Sequence, residues 1–157
     1  MEKRPETNSL GARDERYFFA AVFLVSASEL MLQIALTRVF SFTLWYHFAY
    51  VTISVALLGY GASGTLLAVF PGLAGRDPAR RLSWYATLSG LTVIVAYLAF
   101  SKLPFYPFQL REQPGTQVPL MLAYYAAITA PFFFAGLCMS VALSTYSRQV
   151  SRLYFFD

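Results

Sequence analysis

Phe48-Ala-Tyr-Val-Thr-Ile-Ser-Val-Ala-Leu-Leu-Gly-Tyr-Gly-Ala-Ser-Gly-Thr-Leu-Leu-Ala-Val-Phe70 contains no charged residue. Two physical readings compete for it. Gly59, Gly61 and Gly64 fit the pattern G-x-G-x-x-G, and Val51–Leu58 before them could pass for a buried strand. That is the setting of a dinucleotide-binding turn, where glycines let the backbone approach a pyrophosphate at a helix N-terminus. The helix this turn needs is cut short by Pro71, and no second strand follows in the right place. The other reading is a spanning helix, which needs about 20 predominantly apolar residues. It explains the whole stretch. It also gives the small residues Gly59, Gly61, Ser63 and Gly64 a role, because such positions let helix backbones approach closely in lipid. These four residues are therefore candidate helix-packing positions.

Three further runs extend this reading. The first covers about 17–37 and holds a single charge, Glu29. The third, 82–100, and the fourth, 118–146, hold none. Pro131 lies inside the fourth, and in lipid a proline kinks a helix more often than it ends it. Pro71, Gly72 and Gly75 close the second run, and Pro104, Pro107, Pro114 and Gly115 mark a loop before the fourth. Residues 1–16 read as a flexible polar tail, and 17–157 as one transmembrane helical domain with spans 17–37, 48–70, 82–100 and 118–146. The aromatic segment Val39–His47 suits the membrane interface. A secretory leader ending at Ser26-Ala27-Ser28 is the rival reading of the N-terminal part. It leaves unexplained why the apolar run resumes past Glu29 at helical spacing.

Composition agrees with lipid as the solvent. Hydrophobic residues make up 57% and charged residues 13%, against about 25% charged in soluble domains. The expected fold class is therefore all-α: an integral membrane bundle of about four transmembrane helices. Nine of the twelve basic residues fall in the tail (Lys3, Arg4, Arg13, Arg16), the second loop (Arg76, Arg80, Arg81) and the C-terminal end (Arg148, Arg152). With four spans these segments share one side. The positive-inside rule then places both termini in the cytoplasm, in a multi-pass protein of the inner membrane. The net charge of +4 is a topology signal in such a chain. No basic run interleaves with aromatics in the manner of a nucleic-acid-binding surface.

Chemistry has few candidates. The single cysteine, Cys138, lies in an apolar run and reads as a packing residue. No metal cluster, Ser-His-Asp set, carboxylate pair or P-loop is legible, and no cofactor is expected. Glu29 stands out, because an ionisable group within a span is costly and faces a partner or a cavity. Ser26, Glu29, Gln33 and Thr37 fall on one helical face as a polar stripe. Arg38, His47, Ser54 and Ser63 are the candidate partners of Glu29. The stripe reads either as a clamp between helices or as a proton, cation or substrate contact.

Several stretches together resemble the membrane region of bacterial multi-span spermidine synthase-like proteins. They are Glu29-Leu-Met-Leu-Gln-Ile-Ala-Leu-Thr-Arg-Val-Phe-Ser41, Trp45-Tyr-His-Phe-Ala-Tyr50, Ile53–Gly64, Pro131-Phe-Phe-Phe-Ala-Gly136 and Leu153-Tyr-Phe-Phe-Asp157. In that family the membrane region precedes a cytosolic Rossmann-type aminopropyltransferase-like domain, and no counterpart of that domain occurs within these residues. The resemblance implies a non-catalytic membrane module that anchors, or assembles with, other membrane subunits or with itself. A small oligomeric transporter or channel built on Glu29 is the alternative, and an accessory subunit of a larger membrane complex is a third reading. The lipid bilayer is the expected partner in all of them.

Overall fold

A computed structural model describes residues 12–43, 48–75, 77–102, 114–146 and 150–157. Those residues form five α-helices and a short 3-10 turn, with no strand among them. They are α1 (Ala12–Thr43), α2 (Phe48–Val69), the 3-10 turn Pro71–Leu73, α3 (Pro78–Lys102), α4 (Pro114–Thr145) and α5 (Val150–Phe156). Four of them, α1 to α4, are long and apolar enough to cross a membrane. The chain is a multi-pass helical bundle.

The helix bounds differ from the sequence reading in instructive ways. α1 begins at Ala12, so the last residues of the expected tail are helical, and residues 1–11 lie outside the described set. α1 also runs on to Thr43 through Arg38, because one basic residue near a membrane interface does not break backbone hydrogen bonding. The expected interfacial segment is therefore helical over Val39–Thr43, and its remainder, 44–47, is not among the described residues. Pro114 and Gly115 open α4 instead of belonging to a loop. Proline suits a first helical position, where its missing N–H has no partner to lose. Pro119 and Pro131 are both accommodated inside α4.

α4 is the axis of the bundle. It packs along α2 and α3, while α1 lies mainly on α2 and touches α4 less. Each buried cluster contains α4 residues. Phe40, Val55 and Ala56 meet Ile128 and Phe132. Tyr85 of α3 meets Leu137, Cys138 and Val141. Phe19, Val22 and Leu153 meet Met139 and Ala142. The α2–α4 seam is closest where side chains are smallest. A Cβ built on Gly59 would lie 2.9 Å from both Phe132 Cβ and Phe133 N. A Cβ on Gly136 would run into Ser63 Oγ and approach Tyr60 Cα at 3.1 Å.

α5 turns back into the bundle and rises beside the first half of α1. The Phe19 and Phe156 rings stack at 5.1 Å, and the Arg152 guanidinium lies 5.4 Å from the Phe19 centroid. At its end the Ser26 hydroxyl donates to Asp157 Oδ1 at 2.6 Å. Ser26 lies about 15 Å along α1 from Arg16 at helical rise. α5 thus carries the last residue away from the end of the bundle where α4 finishes.

Candidate functional site

The polar stripe of α1 splits on inspection. Ser26 and Glu29 are buried, at 6% and 5% exposure, whereas Gln33 and Thr37 are half-buried. Ser26 turns to Asp157 and lies 3.9 Å from the Met139 sulfur. Thr37 donates back to the Gln33 carbonyl at 2.7 Å, a local bond that removes its hydroxyl proton from any interhelical role. Glu29 is left as the centre of the site.

Its partner comes from an unexpected helix. Ser89 of α3 donates to Glu29 Oε1 at 2.8 Å. None of the anticipated partners among the described residues does so. Ser54 donates to the Tyr50 carbonyl and Ser63 to the Tyr60 carbonyl. Arg38 is exposed and lies more than two helical turns from Glu29. His47 lies outside the described residues. Ser89 stands on α3 across the cleft between α1 and α3, and its hydroxyl reaches Glu29 from that side. The signal in the sequence was one aliphatic hydroxyl, Ser89, among the four of the third run, with Ser83, Thr87 and Thr92. It was passed over because serine is too common in spanning helices to stand out.

The same Ser89 oxygen is 3.2 Å from the carbonyl oxygen of Pro131. One contact therefore links α1, α3 and the middle of α4 at Pro131. Ser89 has one proton for two acceptors. That proton is shared between the Glu29 carboxyl and the Pro131 carbonyl. Glu29 Oε2 has no hydrogen-bond partner among the described residues. Two other buried atoms share that condition, Thr52 Oγ1 and Gln117 Oε1. No group of three or more metal-ligating side chains occurs among the described residues.

Glu29 and Ser89 line a cleft of about 450 Å³ between α1 and α3, together with Val25, Leu32, Ala86 and Val93. A second cleft, of about 490 Å³, continues it toward Tyr17 and Ala79 and shares Val25 and Ala86. The expected packing residues lie elsewhere and divide. Gly59 and Ser63 are buried in the α2–α4 seam, and Gly64 has ordinary space, 3.9 Å from Ser140 Oγ. Gly61 faces away from the bundle, with nothing within 4 Å of an added Cβ. Gly136 is the partner small residue that the list of candidates lacked. The G-x-G-x-x-G pattern sits within the continuous α2, so it forms no phosphate-binding turn.

No family model matches the chain, and no curated protein or solved structure matches it.

Proposed function

We propose that this chain is a non-catalytic integral membrane module, similar in role to the membrane region of spermidine synthase-like proteins, which anchors or assembles other membrane subunits. The observation that carries the reading is the uneven burial of the spans. In the most apolar 18 residues of α4, 56% are buried inside the bundle, while the corresponding 18 residues of α1 and α3 are only 22% and 17% buried. Lipid alone covers a smooth apolar helix well. It is a poor match for a cleft with a buried carboxyl on its wall, since acyl chains carry no hydrogen-bonding group. Extraction of the chain from its native membrane inside lipid particles, followed by native mass spectrometry, tests the reading. Particles holding other chains in fixed proportion are expected. Single chains with lipid only would overturn it.

We place the end of the bundle formed by the start of α1, the α2–α3 turn and the close of α4 in the cytoplasm of a cell with an inner membrane. Arg16, Arg80, Arg81 and Arg152 belong to that end, against Arg38 and Lys102 at the other, which is the asymmetry the positive-inside rule requires. Cysteine accessibility of an introduced Asp77→Cys from each side of sealed vesicles checks it.

The intramembrane carboxyl favours one second reading, a small oligomeric transporter of protons or polyamines. Its test is flux into proteoliposomes by the wild type against Glu29→Ala. Equal flux in the two would remove Glu29 from any such mechanism.

A further inference from the structure

The geometry points to the α1–α3 groove as the docking site for a transmembrane helix of a different chain, one that brings a hydrogen-bond donor to the level of Glu29. This inference rests on the assembly reading and names its surface.

Three observations define the occupant. The first is length. The two clefts share Val25 and Ala86, and together they follow α1 from Tyr17 to Ala35. At helical rise that is about 27 Å, close to the ~30 Å hydrocarbon core. A compact solute would fill a fraction of it, whereas a spanning helix fills it end to end.

The second is the lining. Ala79, Ser83, Ala86 and Gly90 of α3 line the clefts at alternating spacings of four and three residues. That places four small side chains on one stripe, the surface that lets another helix backbone approach. Nothing lies within 4 Å of a Cβ built on Gly90, so that space is open in this bundle.

The third is an unmet acceptor. Glu29 is buried, lines the cleft, and leaves Oε2 without a partner among the described residues. The terminal torsion of a glutamate side chain is broad, so either oxygen can turn to a donor arriving in the cleft. An Asn, Gln, Ser or Lys at mid-depth of the incoming helix supplies that donor in a medium with no competing water.

A second copy of this chain does not meet these terms. A two-fold pairing of this face would set one concave groove against another and leave both unfilled. Nor do the exposed hydroxyls midway along α2 and α3 offer a free proton. Ser54, Thr65 and Thr87 donate to the carbonyls of Tyr50, Gly61 and Ser83.

The test uses the full chain in phosphatidylcholine vesicles with two synthetic Leu/Ala helices of spanning length. One carries Asn at its centre and the other Leu. Association is read by energy transfer between labels. The Asn helix is expected to bind about tenfold more tightly. Gly90→Phe, which fills the groove, abolishes binding, whereas Gly61→Phe on the outer face of α2 leaves it unchanged. Glu29→Ala removes the preference for Asn and keeps weak binding of both. Equal binding of the two helices by the wild type overturns the proposal, as does undiminished binding by Gly90→Phe. Self-association of the chain that Gly90→Phe removes also overturns it, because the groove would then belong to a second copy. Circular dichroism of each variant confirms that the bundle is folded. If the groove fails these tests while native particles still hold other chains, the assembly reading stands and its surface lies elsewhere. If native particles hold single chains yet the Asn helix binds, the assembly reading fails and the groove stands.

Discussion

α3 and α4 are neighbouring spans, and they solve opposite problems. In their most apolar 18 residues α4 is 56% buried and α3 only 17%, and α1, as apolar as α4, is 22% buried. Apolar content therefore does not set burial in this bundle, since lipid is as good a solvent for leucine as the core is. Small residues and polar contacts decide which faces meet. α4 owns the seam, with Gly136 opposite Ser63 of α2 and Phe132 opposite Gly59. α3 is held through the cluster around Tyr85 and through Ser89, and turns the rest of its surface outward.

The strongest way to break this contrast is to cut the same kind of side chain from each helix. Phe132→Ala removes a ring that is 1% exposed and is expected to cost about 3 kcal/mol of unfolding free energy, by analogy with large-to-small core changes. Ile94→Ala on α3, at 58% exposure, should change stability by less than about 0.5 kcal/mol. Unfolding of the purified chain in bicelles by steric trapping measures both, and equal costs would erase the distinction. Next in size is Gly59→Leu, which has no room against Phe132 and Phe133 and should cost about 2 kcal/mol through overpacking. Gly61→Leu, two residues on and outward-facing, should be near neutral in the same assay.

A smaller effect sharpens the link between the helices. Glu29→Ala and Ser89→Ala should each lower stability by about 1 kcal/mol. The double variant should cost less than the sum of the two, since both remove one contact. Glu29→Gln, whose amide oxygen can still accept from Ser89, should retain most of the wild-type stability. Strictly additive losses would mean that the contact does not bind α1 to α3. Smaller again than the Glu29 and Ser89 effects, Ser26→Ala should cost about 0.6 kcal/mol, the average for a hydrogen bond between membrane helices, and should loosen α5 as read by proteolysis after Arg152.

The spans were legible because uncharged runs of that length have no other stable form in this composition. Their ends were less so. Arg38 and Pro114 read as boundaries, but a single arginine at an interface can snorkel and a proline can begin a helix. The importance of Glu29 was visible from its charge alone. Its partner was not, because Ser89 and the anticipated Ser54 and Ser63 are chemically alike, and only the order in which helices pack distinguishes them. The same holds for Gly61 against Gly59: the two carry the same side chain, and helical phase alone sets one in a seam and the other toward lipid. α5 was missed for a different reason. Seven residues are too few to span, and the sequence carries no sign that Leu153 and Phe156 find a site against Phe19.

The lengths of the four spans have a consequence for the surrounding bilayer. The apolar stretch of α2 is 20 residues and that of α1 is 27, or about 30 and 40 Å at helical rise. α2 matches an ordinary membrane standing upright. α1 exceeds it and must lean, or draw longer lipids around itself, at a cost of fractions of a kcal/mol per Å. α4 is longer still, at 31 residues, but α2 and α3 shield it from the acyl chains. The hydrophobic belt of this protein is therefore lopsided, tall along the α1 flank and short along α2. Bilayer thickness thus acts on one side of the molecule, and thicker, more ordered membranes would favour an upright α1.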